Sequence, residues 1–289
     1  MYYYIYDSFL GDRKFRRRVA AIENSLTDLG IAGERERVTP IRPVQDLVKV
    51  GIERGVSTII IVGNDYTFTK AINAAAVLGL DPGKVVFGII PLGEPNKIAE
   101  LLGIYDVGIA PQELAARKID ALDIGQINKR FFITSVTVGF EPEHKTRKDV
   151  VQEKISPLVA ARRIKKFKPQ PVKIWVDGGY RLGCDLFNLS ILNISDQNGP
   201  QDLGVARSES LVVCLVPYTD EIPAQARLVA ARKYAQLTNA SIFRARQVRV
   251  DGPKTMKVAT DGVLYDHPPL EISIIPQTLR VIVGKNRQI

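Results

Sequence analysis

The feature that most constrains the fold is a pair of short apolar runs. Each run ends at a turn, and a helical pattern follows the turn. The first run covers residues 57–62 and the second covers residues 85–90. Short runs without polar alternation are typical of strands buried on both faces of a parallel sheet. The first third of the chain therefore predicts a parallel α/β domain built from right-handed crossovers.

Helices and strands alternate along this whole first part. Apolar residues at intervals of three and four indicate the helices, and glycine or proline stands near most of their ends. The predicted strands lie at 2–6, 37–39, 57–62 and 85–90, and the predicted helices at 12–29, 43–54, 67–78, 95–102 and 111–118.

Beyond residue 119 the pattern becomes rich in strands and turn residues. Helical spacing is limited to about 147–166 and 222–236, and strands are predicted at 119–127, 131–138, 172–176, 185–194, 211–216, 246–250, 255–260, 271–275 and 279–283. We expect an antiparallel sandwich or meander. The predicted domains are 1–119, completed by the C-terminal tail at about 279–289, and 120–278.

Positive charge is concentrated in one segment. The net charge is +9, and ten Lys or Arg lie between Lys145 and Lys173 against two acids, Asp149 and Glu153. Such a patch attracts phosphates, anionic lipid or nucleic acid, but it is equally typical of a solvated basic helix face. Both interpretations stay open.

Cysteine and histidine are scarce. Cys184 and Cys214 fall in predicted strands, and they and the two histidines lack the spacing of a zinc site. We interpret them as reduced core thiols of a cytosolic protein. The N-terminus does not have the pattern of a signal peptide, so we expect a cytoplasmic protein, or one peripheral at the inner membrane face.

The turn at 63–67 reads GNDYT and is a candidate phosphate site. Phosphate binding needs backbone N–H groups at a helix start and room for close approach. Asn64 tolerates left-handed φ, whereas the ring of Tyr66 would occupy the phosphate path. Asp65 could hold Mg²⁺ or water, or it could cap the helix.

The second turn, at 91–97, reads PLGEPNK. Asn96 is positioned either to touch a ligand or to cap the helix that follows. Glu94 and Pro95 are poor phosphate partners, since one is negative and the other lacks an N–H. Lys97 could compensate the negative charge.

Together the two turns resemble the diacylglycerol kinase catalytic domain family, which shares its fold with NAD kinase and sphingosine kinase. Residues 63–67 are similar to its GGDGT turn, and residues 91–100 are similar to its PLGTGNDFAR segment. Residues 122–125 (LDIG), 138–140 (VGF) and 261–262 (DG) resemble its DLG, IGFDA and DGE motifs in the same order. The resemblance therefore covers nearly the whole chain.

The resemblance implies an N-terminal parallel three-layer α/β nucleotide-binding domain and a C-terminal antiparallel β-sandwich-like substrate domain. It implies ATP and Mg²⁺ as cofactors, a diacylglycerol-like lipid hydroxyl as substrate, and Asp261 as the base. The nucleotide site would be lined by Gly63, Asn64, Asp65, Thr67, Gly93 and Asn96, with Asp65 as the metal candidate.

The sequence departs from the family pattern at these motifs. Asn64 and Tyr66 replace glycines, Glu94 and Pro95 replace Thr-Gly, and Val263 replaces the glutamate of DGE. Tyr66 and Glu94 are therefore candidate site blockers.

Two hypotheses remain: a divergent ATP-dependent lipid kinase, or an inactive kinase-fold protein that binds or regulates. Nucleic-acid binding is a third and less favoured hypothesis, because Phe167 is the one aromatic inside the basic run. Docking of the 145–173 patch on anionic membrane and formation of a homodimer are further expectations about partners.

Overall fold

The computed structural model describes residues 1–78, 84–93, 96–140, 156–193, 209–261, 263–264 and 267–287. The chain divides into two compact units. The first contains residues 1–122 and 276–289, and the second contains residues 123–275.

Strands and helices alternate in the first unit, as the sequence predicts. The strands are β1 (Tyr2–Tyr6), β2 (Glu34–Arg37), β3 (Thr58–Gly63) and β4 (Val86–Pro91). The helices are α1 (Arg16–Asp28), α2 (Val44–Glu53), α3 (Asp65–Val77), α4 (Lys97–Leu101) and α5 (Ala110–Ala116). Two 3₁₀ turns, Ser8–Gly11 and Arg13–Phe15, lie between β1 and α1.

The sheet of the first unit is parallel, with the order β2-β1-β3-β4. Every residue of β3 and β4 is buried, which explains why their sequences contain no polar alternation. Helix α1 directs Val19, Ile22 and Leu26 inward at the spacing of one helix face. Helices α2 and α3 pack against each other, and α1 packs against α5.

Antiparallel strands dominate the second unit. Its elements, including two that extend into the first unit, are β5 (Ile119–Ile127), β6 (Arg130–Phe132), β7 (Ser135–Gly139), α6 (Pro157–Lys166), β8 (Gln170–Val176), β9 (Tyr180–Leu192), β10 (Leu211–Pro217), α7 (Ala226–Ala230), β11 (Ser241–Ala245), β12 (Gln247–Asp251), β13 (Val258–Thr260), β14 (Val263–Leu264) and β15 (Leu270–Ile282). The hydrogen-bonded order runs β14-β13-β7-β9-β8-β12-β15, and β10 pairs with β9 and β11. The predicted fold class is therefore confirmed.

Four details of the predicted elements are wrong in the second unit. The strand predicted at 131–138 is interrupted at Ile133–Thr134, whose N–H groups donate to the carboxylate of Asp261 instead of to a neighbouring strand. The two strands predicted at 271–275 and 279–283 are the single strand β15. Strand β11 is absent from the prediction, although it pairs with β10 along five residues.

The fourth wrong detail is the helix predicted over 222–236. It forms α7 flanked by 3₁₀ turns at Ile222–Gln225 and Tyr234–Gln236. Arg232, with φ of +58°, ends the helical conformation because a left-handed residue cannot continue it. The first part of the helix predicted over 147–166 lies outside the described residues, and α6 forms the rest.

Both cysteines lie in strands, as predicted. Cys184 is half-buried on β9, and Cys214 is buried on β10. Burial raises the pKa of Cys214 to about 11, so its thiol is protonated at neutral pH.

No helix in the described ranges is both long and apolar enough to cross a bilayer.

Tyrosines on β1 make the stability of the first unit sensitive to alkaline pH. Burial raises the pKa of Tyr4 and Tyr6 above the usual value of 10. The folded state therefore keeps its phenol protons at a pH where the unfolded chain has lost them, and stability falls as pH rises above 10. We expect a slope of about 1.4 kcal/mol per pH unit for each tyrosine.

The variant Tyr4→Phe tests this expectation by urea unfolding between pH 8 and about pH 11, just above the usual tyrosine pKa. It removes the hydrogen bond from the Tyr4 hydroxyl to the Ile31 carbonyl (2.6 Å), which lowers stability by about 1 kcal/mol at neutral pH. Its alkaline slope should be shallower than that of the parent. Tyr180→Phe is the control, since Tyr180 is 74% exposed. Equal slopes in all three proteins would contradict the prediction.

Candidate functional site

The carboxyl ends of β1 and β3 meet where the strand order of the parallel sheet reverses. From β1 the chain proceeds to β2 on one side and then returns to β3 on the other. In open α/β sheets, ligands bind in the crevice outside the carboxyl ends at such a point. The candidate site is therefore formed by the residues that follow β1 and β3, together with the turn that follows β4.

The turn after β3 is closed by a helix cap. Asn64 has an extended backbone, with φ −114° and ψ 176°, and its side chain accepts a hydrogen bond from the Thr67 N–H at 3.3 Å. The Phe68 N–H donates to the Asn64 carbonyl at 3.2 Å. Asn64 is thus the N-cap, not a left-handed turn residue, and it uses a donor that a phosphate at this helix start would need.

Asp65 caps a different helix. Its side chain is buried, and Oδ1 accepts a hydrogen bond from the Ile98 N–H at 3.2 Å. Ile98 lies in the first turn of α4, whose own N-cap residue makes no side-chain cap. The carboxylate therefore joins the starts of α3 and α4. It belongs to no group of three or more His, Cys, Asp or Glu in the described ranges that could hold a metal.

Asp7 is a buried carboxylate of this site that the sequence analysis missed. It follows β1, and its Oδ2 accepts a short hydrogen bond from the Thr67 hydroxyl. Gly63 packs directly against it, since a Cβ on Gly63 would lie 2.9 Å from the Asp7 Cβ. In the sequence it is a polar residue directly after a buried strand. Gly63 and Thr67 are therefore engaged with Asp7.

An aromatic ring lies beside the turn after β4. Gly93 has φ of +105°, and a Cβ there would overlap the ring of Phe9. Phe9 is held in the 3₁₀ turn after β1, and its ring makes an edge contact with Phe15 at 5.3 Å between centroids. The ring thus occupies the space that the missing side chain leaves at Gly93. Phe9 is a site residue that was not predicted from the sequence.

The structure describes three of the remaining predicted site residues of the first unit, Asn96, Lys97 and Tyr66. Asn96 donates its side-chain amide to the Gly93 carbonyl, and its Oδ1 is buried without a hydrogen-bond partner in the described part of the chain. Lys97 begins α4, and Tyr66 is half-buried in the first turn of α3. Glu94 lies outside the described residues, as does Pro95.

Asp261, in the second unit, is surrounded by donors. Oδ1 accepts from the Thr134 N–H (2.8 Å), the Thr134 hydroxyl (2.7 Å) and the Ser135 N–H (3.2 Å). Oδ2 accepts from the Ile133 N–H at 3.0 Å. This carboxylate fixes the break between β6 and β7.

The backbone at Asp261 also has a structural role. Thr260 pairs with Val263, so Asp261 lies in the connection between β13 and β14. Asp-Gly is a preferred sequence for two-residue hairpin turns, and Asp261 has the left-handed φ of +48° that such turns require. The Asp261 N–H donates to the Ser135 carbonyl at 2.8 Å.

Comparison with known proteins agrees with the fold and with the motifs. Residues 2–127 match the family described as "Diacylglycerol kinase catalytic domain". A Shewanella frigidimarina protein named "Probable lipid kinase YegS-like" is 24% identical over 246 residues, which are 81% of this chain and 79% of the relative.

Solved structures share the fold. The crystal structure of a diacylglycerol kinase from Bacillus anthracis str. Sterne has a TM-score of 0.74 at 15% identity, covering 99% of this chain and 97% of its own. A second structure from the same strain has a TM-score of 0.78 at 17% identity, covering 98% and 97%. The chain thus shares its fold with these two structures. More narrowly, the match of residues 2–127 to the diacylglycerol kinase catalytic domain model agrees with the resemblance seen in the motifs.

The contact between Phe9 and Gly93 can be tested by a double-mutant cycle. Gly93→Ala should cost about 2–4 kcal/mol of unfolding free energy, because it adds left-handed strain and overlaps the ring. In the background of Phe9→Ala, the loss of unfolding free energy caused by Gly93→Ala should be smaller by about 1–2 kcal/mol. Gly55→Ala is the control, since Gly55 has φ of +72° and nothing within 4 Å of an added Cβ. Strictly additive free energies in urea unfolding would contradict the contact.

The hydrogen bonds of Asp261 predict a structural cost for its replacement. Asp261→Asn keeps the shape and the tolerance of left-handed φ but removes the charge and one acceptor oxygen. We expect a loss of about 2–3 kcal/mol in unfolding free energy. Asp220→Asn, at an exposed position of the same unit, should change stability by less than about 0.5 kcal/mol. Equal stability of the two variants would show that the donors around Asp261 contribute nothing.

Proposed function

We propose that this protein is a non-catalytic member of the diacylglycerol kinase catalytic domain family, a binding protein on a kinase fold. The observation that carries the proposal is the set of four hydrogen bonds accepted by the Asp261 carboxylate. Asp261 is the residue to which the family resemblance assigns the role of base.

A base must have a lone pair available for the substrate proton. An ionised carboxylate offers about four acceptor sites, and four protein donors already point at Asp261. Oδ1 accepts three of them and Oδ2 accepts one, so a substrate hydroxyl could approach only Oδ2, beside the Ile133 N–H. Val263, in place of the family glutamate, cannot replace Asp261 as a base.

The turns of the first unit support the same proposal. A nucleotide phosphate in this crevice would meet the buried carboxylates of Asp7 and Asp65 and the ring of Phe9. A carboxylate at ~4 Å from a phosphate costs about 4 kcal/mol at an effective dielectric constant of 20. ATP affinities in the millimolar to micromolar range amount to about −4 to −8 kcal/mol, so one such contact removes much of the binding. These residues do not fit ATP with Mg²⁺ as the resemblance implies.

The second candidate is the divergent kinase, which phosphorylates a diacylglycerol-like lipid with ATP. One observation favours it: the buried Oδ1 of Asn96, which could accept a hydrogen bond from a ligand in this crevice. In this case Lys97, at the start of α4, would offset part of the negative charge.

A transfer assay separates the two candidates. The protein is incubated with radiolabelled ATP, Mg²⁺ and diacylglycerol in mixed micelles, beside an active diacylglycerol kinase as assay control. We expect no labelled lipid above the enzyme-free background. In a parallel thermal-shift titration, millimolar ATP with Mg²⁺ should leave Tm unchanged, since a ligand that binds the folded state raises it.

If labelled lipid is found, the variant Asp261→Asn is assayed below its melting temperature to identify the base. Labelled lipid that disappears in this variant would establish the divergent kinase with Asp261 as base. Labelled lipid that persists would also overturn the non-catalytic proposal and would exclude Asp261 as the base.

A further inference from the structure

Asp7 is a buried carboxylate without a cationic partner. It is 7% exposed, and within the described part of the chain no Lys or Arg forms an ion pair with it. Two nearby arginines pair elsewhere, Arg35 with Glu23 and Arg42 with Glu36. A carboxylate away from water is costly unless a positive charge or several hydrogen bonds stabilise it. No described residue of the first unit supplies that charge as an ion pair.

The two carboxylate oxygens of Asp7 differ in their hydrogen bonds. Oδ2 accepts the short hydrogen bond from the buried Thr67 hydroxyl. In the described ranges Oδ1 accepts only from the hydroxyl of the exposed residue Ser8, at 3.3 Å. This bond is long, since a hydroxyl donor normally lies at about 2.5–3.0 Å from its acceptor. Oδ1 is therefore the oxygen that can accept a further hydrogen bond from a ligand.

Asn96 presents a second acceptor at the same crevice. Its side-chain N–H donates to the Gly93 carbonyl, and this contact fixes which end of the amide is oxygen. That oxygen, Oδ1, is buried and has no hydrogen-bond partner in the part of the chain that the structure describes. An unpaired buried acceptor is unfavourable, and a ligand that donates to it removes the penalty.

Donors at this crevice are already used within the protein. Three of them donate to side chains of the site: the Thr67 N–H to Asn64, the Thr67 hydroxyl to Asp7, and the Ile98 N–H to Asp65. The acceptors described above are not saturated in the same way. A ligand that fits this balance brings its own donors and a positive charge.

An aromatic ring contributes to the same environment. The Phe9 ring lies against Gly93, and Gly93 also accepts the Asn96 side-chain N–H, so the ring and the amide border one turn. Phe9 belongs to the 3₁₀ turn that follows Asp7. The face of an aromatic ring attracts a ligand cation, and a carboxylate nearby adds to that attraction.

We propose that this crevice binds a small organic cation that carries a primary ammonium group. The ammonium group donates to Oδ1 of Asp7, and its charge compensates the carboxylate. Oδ1 of Asn96 accepts from the same group or from another donor of the ligand. A metal ion is less suited, because Asp7 belongs to no group of three or more His, Cys, Asp or Glu in the described ranges that could hold one.

The inference rests on the proposed function, because an active kinase would need this crevice for the phosphates of ATP. The two can fail separately. Labelled lipid in the transfer assay would overturn the proposed function and this inference with it. Absence of ammonium binding in a protein that transfers no phosphate would overturn this inference alone.

Isothermal titration calorimetry with three probes of equal chain length tests the charge preference. The probes are 1,4-diaminobutane, a dication; 1,4-butanediol, which is neutral; and succinate, a dianion. At constant ionic strength the diamine should bind with a Kd of roughly 1 mM, and the diol and succinate should bind roughly tenfold more weakly or not at all. Absence of diamine binding, or equal binding of all three probes, would overturn the proposal.

Asp7→Asn removes the charge and keeps an acceptor for the Thr67 hydroxyl. It should weaken diamine binding roughly tenfold. Asp12→Asn is the matched control, since Asp12 is an exposed carboxylate at the next turn and the change in net charge is the same. It should change the Kd less than about twofold, because solvent and salt screen an exposed charge. Equal losses in the two variants would overturn the assignment to Asp7.

Ser8→Lys tests the site without altering a buried residue. It places a tethered ammonium group beside Oδ1 of Asp7, which competes with the free diamine and should weaken its binding roughly tenfold. Ser8→Met has a side chain of similar length without charge and should change the Kd less than about threefold. Equal effects of these two variants would overturn the proposal. So would Mg²⁺ that displaces the diamine from the parent protein, since the site would then be a metal site. Melting temperatures verify that all variants are folded.

Discussion

Carboxylates away from water have to be hydrogen-bonded, and the connections of this protein are organised around that requirement. Asp65 holds the start of α4 through the Ile98 N–H, and Asp7 accepts from the Thr67 hydroxyl. Asp123, which is almost fully buried, accepts from the Glu209 N–H at 3.0 Å. Asp261 gathers three backbone N–H groups and a hydroxyl. In each case a carboxylate satisfies donors at or near the start of a helix or strand.

The same requirement changes the meaning of the family motifs in this chain. Gly63, Asp65 and Thr67 keep the letters of a phosphate turn, yet each is engaged with another part of the protein. Asp261 keeps the letter of a catalytic motif, yet it lies in the connection between β13 and β14 and its carboxylate accepts four hydrogen bonds from the protein. A motif indicates ancestry because its residues are kept during divergence. The chemistry of the site depends instead on which of their atoms are still available to a ligand.

The sequence predicted the first unit well and the second less well. Strands β3 and β4 were predicted because fully buried parallel strands are uniformly apolar. The break at Ile133–Thr134 could not be predicted, since its cause, Asp261, lies about 128 residues away. Phe9 and Asp7 were missed for a similar reason: each is one residue in an irregular turn, and its importance comes from a glycine distant in sequence.

The sequence by itself determined the architecture, the resemblance to a known family and the location of the two glycine-containing turns, because hydrophobic periodicity and short motifs are local properties of the chain. It also located the basic segment around α6. Only the tertiary structure decided what the site residues contact: that Asn64 caps α3, that Phe9 fills the space beside Gly93, and that donors surround Asp261. It also showed that Asp7 is buried without an ion pair in the described part of the chain. These are contacts between distant segments, and they depend on packing that no local pattern encodes.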